Sequence, residues 1–473
     1  MTVYLLANVG LRDVLHRREP ISPPRAEGKR ILDYIDDLEK ELTLPMLSPA
    51  VEGLLRDHPK IQVVLYGSDQ PEGTPPQYRD NDTIYLAEVA GELLQRRLRG
   101  KIEKVWPKKI RANPSLYDDM LSFFRAQFQD RWTSSVEKCY VFPVGGTPAA
   151  NMGMMLAAIE RFGEKCQVLY LPQGEKWPIR MDLGDQIRRG TARRMAADRL
   201  RAHSFGAAVP LLEEAGAPGW VAHLARYAVS RYHFDFDIAA AELEKAKRHC
   251  SDQFSARSRC EELRRGLPRL RDRELEALLV ELYHNAQLAY KRGEFAAFLG
   301  ILFRFQEATL RFMVEKLYPG LSTEVGSEDD GQEFEARLRQ REGLFRYLQR
   351  LTVKKGRPLR LCEPSRPVLG AMVRYAWEGE EKLANEERVE QFRRTNEILA
   401  KFDRLAGLRN KCIIAHGFEG VSEKRIKEEY AKGGGTGEPL QDMAAALEAL
   451  GIPRGDDPFE EVAKLALEGL SQP

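Results

Sequence analysis

An arginine and a histidine stand seven residues apart near the carboxyl end of the chain, in the segment RNKCIIAH from Arg409 to His416. An α-helix, at about 100° per residue, would return both side chains to nearly one face, about 10 Å apart. The apolar residues 412–414 would then face a core. An amphipathic helical pattern, NEILAKFDRLAGL, precedes the segment, and Gly417 follows it. We therefore predict that Arg409 and His416 project together from the end of a buried helix.

This pair suits cleavage of an RNA phosphodiester bond without a metal ion. In that reaction the ribose 2′-hydroxyl attacks the adjacent phosphorus, a proton moves, and negative charge builds on the phosphoryl oxygens. His416 can transfer the proton near neutral pH, and Arg409 can neutralise the charge through its planar fork of N–H donors. Asn410 can orient the imidazole or hold a phosphate. The same spacing also arises by chance in many proteins, so the motif gains weight only from its context.

The loop Gly145-Gly146-Thr147-Pro148 is a candidate cradle for a phosphate. Glycines let the backbone approach a ligand, Thr can cap the following helix, and Pro suits the first helical position. Free N–H groups at a helix start favour an anion. A plain strand-to-helix turn is an equally good interpretation. No GxGxxG follows the first strand, which disfavours an ordinary NAD enzyme.

The loop after the first strand and a short stretch after the second add further candidates for the same ligand. Arg12 could contribute a bidentate contact to phosphate. The complete set of candidate ligand-binding residues is Asn8, Gly10, Arg12, Asp13, Ser68, Gly145, Gly146, Thr147, Pro148 and Asn151. No residue of this set has metal-ligand spacing, and we predict no metal site.

The elements that must position these loops alternate between strand and helix. Apolar β-rich runs occupy 2–7, 61–67, 102–106, 139–144 and 167–171. Segments with apolar residues at helical spacing separate them, at 29–42, 82–98, 117–128 and 148–162. This alternation predicts a parallel, doubly wound Rossmann-like sheet, whose ligands bind beyond the carboxyl ends of the strands.

The rest of the chain has helical patterns. The segment from 186 to 201 holds six Arg and one Asp, and a solvated helix face is a commoner reason for such a pattern than contact with RNA. His284 is interpreted as a core residue, Gly293 as a turn between two helices, and residues 433–435 as a loop. We predict three domains: a Rossmann-like domain at 1–180, an all-α connector at 181–270 and an all-α domain at 271–473.

Composition narrows the class of protein. The chain has 473 residues, enough for two or three cores, and its net charge of +2 neither favours nor excludes a polyanionic partner. Its six cysteines are scattered without zinc-ligand spacing, so we expect them to be reduced. No run is long and apolar enough for a membrane span or a signal peptide. These features predict a cytoplasmic protein without a membrane partner.

The Rossmann-like pattern, the helical connector and the motif carried by Arg409, Asn410 and His416 together resemble the CARF-HEPN ribonuclease effectors of type III CRISPR systems. HEPN ribonucleases carry R-x(4 to 6)-H, usually with a polar residue after Arg. The resemblance implies a homodimer with a composite active site and a CARF domain at 1–180 that binds cyclic oligoadenylate as an allosteric activator. Tetra-adenylate is the preferred ring.

The resemblance also implies the reaction. A HEPN domain at 271–473 would cut single-stranded RNA without a cofactor, leaving 2′,3′-cyclic phosphate ends, in antiviral defence. No stable association with the interference complex is expected. The alternative is a nucleotide-sensing transcription regulator without nuclease activity, but no helix-turn-helix with a basic recognition helix is evident after residue 320. A nucleotide-using metabolic enzyme lacks a P-loop.

Overall fold

The computed structural model describes residues 2–129, 135–250, 254–353, 356–379, 383–432 and 438–471. The predicted loop at 433–435 lies outside them. The chain divides into two compact units, Met1–Thr191 and Ala192–Pro473. In the part of the chain that is described, no helix is both long and apolar enough to cross a membrane.

The first unit is built on a six-stranded sheet. Its order is β6-β5-β1-β7-β8-β9, parallel except for the antiparallel edge strand β9. The described strands of the whole chain are β1 (Thr2–Asn8), β2 (Leu15–His16), β3 (Glu19–Pro20), β4 (Leu42–Thr43), β5 (Ile61–Ser68), β6 (Ile102–Ile110), β7 (Val136–Phe142), β8 (Cys166–Tyr170), β9 (Ile179–Met181), β10 (Thr352–Val353) and β11 (Arg357–Pro358). The predicted parallel sheet is confirmed, and its first strand lies between β5 and β7, where the strand order reverses.

Helices cover both faces of this sheet. In the first unit these are α1 (Pro24–Asp33), α2 (Ile35–Leu38), α3 (Leu47–Leu54), α4 (Pro76–Arg79), α5 (Ile84–Arg97), α6 (Tyr117–Gln127), α7 (Pro148–Phe162) and the start of α8 (Leu183–Arg201). Alternate residues of β1 point into two separate cores: Leu5 packs with α3 and α5, whereas Leu6 packs with α6 and α7. Burial on both faces explains why the strands are continuous apolar runs.

Several details of the first unit differ from the sequence-based prediction. The helix expected at 29–42 is interrupted at Tyr34, and its last residue, Leu42, is buried in β4, which pairs with β2. Strand β6 extends four residues past the predicted end at Trp106. Pro107 lies within it, and this is tolerated because β6 is an edge strand, on which one row of N–H groups has no partner strand. The antiparallel strand β9 was not predicted.

The described part of the second unit is helical apart from the two-stranded ribbon β10–β11. Its helices are the end of α8, α9 (Phe205–Glu214), α10 (Gly219–Tyr232), α11 (Phe236–His249), α12 (Phe254–Arg265), α13 (Leu267–Arg271), α14 (Leu275–Lys291), α15 (Phe295–Leu317), α16 (Glu328–Arg339), α17 (Glu342–Arg350), α18 (Arg366–Glu378), α19 (Glu386–Phe402), α20 (Ala406–Lys411), α21 (Glu423–Ala431), α22 (Pro439–Ala449) and α23 (Pro458–Leu470). The predicted turn at Gly293, which has φ +72°, joins α14 to α15.

Two hydrophobic cores stabilise this unit. One lies among α14 to α22, and the other joins α8 to α13 with the C-terminal helix α23. The predicted domain limits at 180 and 270 stay predictions. His284, interpreted from sequence as structural, is buried and within hydrogen-bonding distance of the Arg454 carbonyl (2.9 Å).

Candidate active site and ligand cavity

The motif from Arg409 to His416 begins in a helix and ends outside it. Helix α20 ends at Lys411, and residues 412–416 form a turn. The prediction that a continuous helix carries both ionisable side chains is therefore wrong. The predicted core face is also wrong for two of its three residues: Cys412 is buried, but Ile413 and Ile414 are exposed.

The chain returns to the end of this helix at Gly417. A Cβ atom at this position would lie 2.1 Å from the carbonyl oxygen of Lys411, so the chain folds back closely on the helix end. The backbone N–H of Glu419 then donates to that same carbonyl at 2.8 Å, and the N–H of Gly417 donates to Cys412. These bonds satisfy helix-end carbonyls that a longer helix would have used.

Arg409 is held in place by two neighbours. Its Nε and Nη2 atoms donate to the side-chain oxygen of Asn410 at 3.1 and 2.8 Å. The guanidinium also lies over the ring of Phe303, on α15, with 4.8 Å from Cζ to the ring centroid. This cation–π contact fixes the plane of the guanidinium. Among the described residues, Nη1 makes no hydrogen bond, which leaves an N–H pair to meet a phosphate.

His416 is exposed, and its backbone N–H donates to the Asn410 carbonyl at 3.3 Å. Asn410 thus contacts the arginine through its side chain and the histidine through its backbone. Its predicted alternatives, orienting the imidazole or holding a phosphate, stay predictions. In the described ranges, no group of three or more His, Cys, Asp or Glu side chains gathers as a metal site would.

The first unit has a cavity of about 750 Å³ at the carboxyl ends of β1, β5 and β6 and the start of α7. This is the edge at which the strand order reverses and at which doubly wound sheets bind ligands. Five of the ten predicted ligand-binding residues line it: Asn8, Gly10, Ser68, Gly146 and Thr147.

Thr147 has the capping role expected from the sequence. Its hydroxyl accepts from the Ala150 N–H at 3.2 Å and donates to the Pro114 carbonyl, and Pro148 occupies the first helical position. The start of α7 therefore faces the cavity with its N-terminal backbone dipole, which favours an anion.

Asn8 is buried at the end of β1. Its side-chain nitrogen donates to the Asn151 side-chain oxygen at 2.8 Å, so Asn151 positions Asn8 rather than lining the cavity. The side-chain oxygen of Asn8 has no hydrogen-bond partner among the described residues. Because an unpaired buried acceptor costs free energy, this oxygen is suited to a donor that a ligand brings.

Asp13 lies behind the cavity wall. Its carboxylate accepts from the Gly10 N–H at 2.6 Å, and a Cβ atom at Gly145 would lie 2.1 Å from Oδ2. Burial raises the pKa of Asp13 to about 6, against the smaller lowering effect of the Gly10 hydrogen bond. Asp13 and Gly145 thus hold the two loops together without lining the cavity. Arg12 is exposed and also lies outside the lining.

Sequence reasoning missed the residues that follow β6. Arg111, Asn113 and Ser115 line the cavity, and Arg111 is the one Lys or Arg among the lining residues described. Asp82 is the one Asp or Glu among the described lining residues, and Arg25 pairs with it at 2.9 Å. The position of Arg111 directly after a strand is a signal that the sequence contains. The apolar pattern placed the end of that strand at Trp106, four residues too early, so Arg111 was not recognised as a candidate.

Known proteins were compared with the whole chain. No model of a protein family matches it. No curated protein matches its sequence. Among solved structures it is similar to Enterococcus italicus Csm6 bound to cyclic hexa-2'-fluoro-hexa-dAMP, with a TM-score of 0.53 and 12% sequence identity over 99% of each chain.

The chain has the fold of Csm6. Csm6 is a CARF-HEPN effector of type III CRISPR systems, so the predicted resemblance is confirmed for the architecture. The predicted fold class, an α/β unit followed by a helical region, is confirmed as well. At 12% identity the likeness to Csm6 assigns no role to any single residue.

Proposed function

We propose that this protein is a cyclic-oligoadenylate-activated endoribonuclease that degrades single-stranded RNA in type III CRISPR antiviral defence. The observation that carries the proposal is the Csm6 fold along 99% of a chain that also holds Arg409 and His416 at the exposed end of α20. The sensor and nuclease roles fall to the first and second units.

The cleavage needs no group beyond those of the chain and the RNA. The 2′-oxygen attacks the adjacent phosphorus and loses its proton, and the 5′-oxygen of the next nucleotide leaves and gains one. His416 carries out proton transfer, and Arg409 binds the phosphoryl oxygens through the N–H groups that Asn410 does not occupy. The products are a 2′,3′-cyclic phosphate and a 5′-hydroxyl. No metal or cofactor takes part in this scheme.

A homodimer would complete the active site. Ile413 and Ile414 lie within the motif and Phe418 follows it, and Phe418 is 96% exposed. Large apolar side chains grouped on a surface are typical of an interaction site. In an isologous dimer, the same patch would meet its copy and bring two motifs together.

The activator site would be the cavity of the first unit. A cyclic oligoadenylate supplies phosphates for the start of α7 and for Arg111, and N–H or O–H donors for the side-chain oxygen of Asn8. The ligand in the Csm6 structure is a ring of six nucleotides. Tetra-adenylate, preferred from the resemblance, and hexa-adenylate are therefore both proper test ligands.

The decisive experiment is cleavage of a fluorescent single-stranded RNA in EDTA, with and without cyclic tetra- or hexa-adenylate. Wild type is compared with His416→Ala and with His249→Ala, which removes an exposed histidine outside the motif. We expect activator-dependent cutting by wild type and His249→Ala, and none by His416→Ala. Activator binding should be equal in all three.

Two results would contradict the proposal. Full activity of His416→Ala would remove the assigned active site. No cutting by wild type with either ring, despite ring binding, would leave a sensor without nuclease activity and favour the transcription-regulator alternative.

A further inference from the structure

The second unit has its own cavity, of about 670 Å³, between α14 and α15. Its apolar lining includes Leu282 from α14 and Ile301 and Ala308 from α15, which we call the floor. Gly300 and Arg304 also line the cavity. The scheme of cleavage described above makes no use of the cavity.

This cavity adjoins the motif through α15. A Cβ atom at Gly300, which lines the cavity, would lie 3.5 Å from Cδ1 of Ile414, two residues before His416. Phe303, between two cavity-lining residues, carries the Arg409 guanidinium on its ring. The part of α15 that bounds the cavity thus also supports the motif.

Among the described residues, six charged side chains line the cavity: Asp272, Arg273, Arg304, Arg311, Glu315 and Glu324. The acids Glu315 and Glu324 lie toward the far end of α15, where Glu315 accepts from the Thr323 hydroxyl at 2.7 Å. Arg304 lies one helical turn after Gly300, and we call the part of the cavity lined by Gly300, Arg304 and the floor its motif end. The Arg304 side chain is 61% exposed and pairs with Glu307 at 3.2 Å, an arrangement that contributes little and can be exchanged for a phosphate.

We propose that the motif end of this cavity is a nucleobase subsite for the RNA substrate, next to the bond that is cut. The inference rests on the proposed nuclease function, since an RNA strand must continue beyond the scissile phosphate. An unstacked base is flat and apolar on both faces, as the floor requires, and its phosphate would meet Arg304. Single-stranded RNA is recognised in this way, through bases splayed onto apolar or guanidinium surfaces.

The subsite would set which base is preferred beside the cut. Ala308→Leu adds carbon atoms to the floor, where a base would lie, and Arg304→Ala removes the cation. We expect Ala308→Leu to raise KM for RNA about tenfold, with kcat nearly unchanged and the preference among homopolymeric RNAs reduced. Arg304→Ala should make the slope of log K against log salt shallower by about 0.7, the value for one phosphate of a single strand.

The measurements use the full-length protein with saturating activator for cleavage, and the His416→Ala background for binding of uncut RNA by anisotropy. The matched control is Arg346→Ala, which removes an arginine that is 67% exposed and paired with Glu342, on α17 and outside this cavity. Thermal melting checks that each variant folds. The control should keep the wild-type KM, base preference and salt slope.

Each other outcome has a distinct meaning. Values for Ala308→Leu and Arg304→Ala equal to those of the control would overturn the subsite while leaving the nuclease proposal intact. Loss of the dimer by Ala308→Leu, measured by sedimentation, would mean that the cavity receives a side chain from a second copy and would overturn the subsite too. Absence of cleavage by wild type would overturn both proposals.

Discussion

Asp13 offers a test of the loop geometry that does not depend on enzymatic activity. Its carboxyl is only 3% exposed and is enclosed between the Gly10 N–H and the backbone of Gly145. The substitution Asp13→Asn keeps the shape and the acceptor for Gly10 but removes the ionisable group. Any change in the pH dependence of stability can therefore be assigned to the proton of this carboxyl.

The expected magnitude follows from the pKa. In the folded protein burial raises the pKa of Asp13 from 3.8 to about 6. At about 1.4 kcal/mol per pKa unit this difference corresponds to about 3 kcal/mol. Because the folded protein binds the proton more tightly than the unfolded chain, the contribution is fully present below pH 3.8 and is lost as the pH rises through 6. The free energy of unfolding should fall by that amount over this window.

The assay is urea unfolding of the full-length protein at a series of pH values from 3 to 8. Wild type should lose about 3 kcal/mol relative to Asp13→Asn across the series, so that the variant becomes the more stable protein above pH 6. Asp33→Asn, which changes an exposed aspartate at the end of α1, is the control and should follow wild type. If the free energies of unfolding of wild type and Asp13→Asn changed in parallel with pH, the conclusion that the Asp13 carboxyl is enclosed would be refuted.

Two further predictions concern the proposed ligand and dimer sites. Arg111→Ala should raise the dissociation constant for the cyclic activator about tenfold by calorimetry, the worth of one charge-assisted hydrogen bond, whereas Arg12→Ala, outside the cavity, should change it less. Phe418→Ser should raise the dimer dissociation constant about 1000-fold by sedimentation, because about 2 kcal/mol of apolar burial is lost in each protomer. Met195→Ser, an exposed methionine on α8, is its control.

The parallel sheet could be predicted because its strands are buried on both faces and therefore read as apolar runs. The start of α7 could also be predicted, since Thr147 suits the N-cap and Pro148 suits the first helical position. The full length of the edge strand β6 could not be predicted, because four of its nine residues are exposed and Pro107 is one of them. Ending that strand at Trp106 hid Arg111, so an error in one strand became an error in the site.

The prediction of a continuous helix through the motif was wrong for a different reason. Nothing in RNKCIIA opposes a helix locally, and Gly417 alone signals an end. The end comes six residues earlier, at Lys411, because the chain returns close to that backbone and bonds to it. Tertiary contacts of this kind lie outside what periodicity can predict.

A turn after Arg409 also makes physical sense of the spacing that HEPN ribonucleases allow. Their motif tolerates four to six residues between arginine and histidine, and in this chain there are six. On a continuous helix each added residue would rotate the histidine by about 100°, so only some spacings could serve. When the helix ends two residues after the arginine and His416 lies in the following turn, extra residues enlarge the turn instead. The two side chains can then meet a phosphate at several spacings.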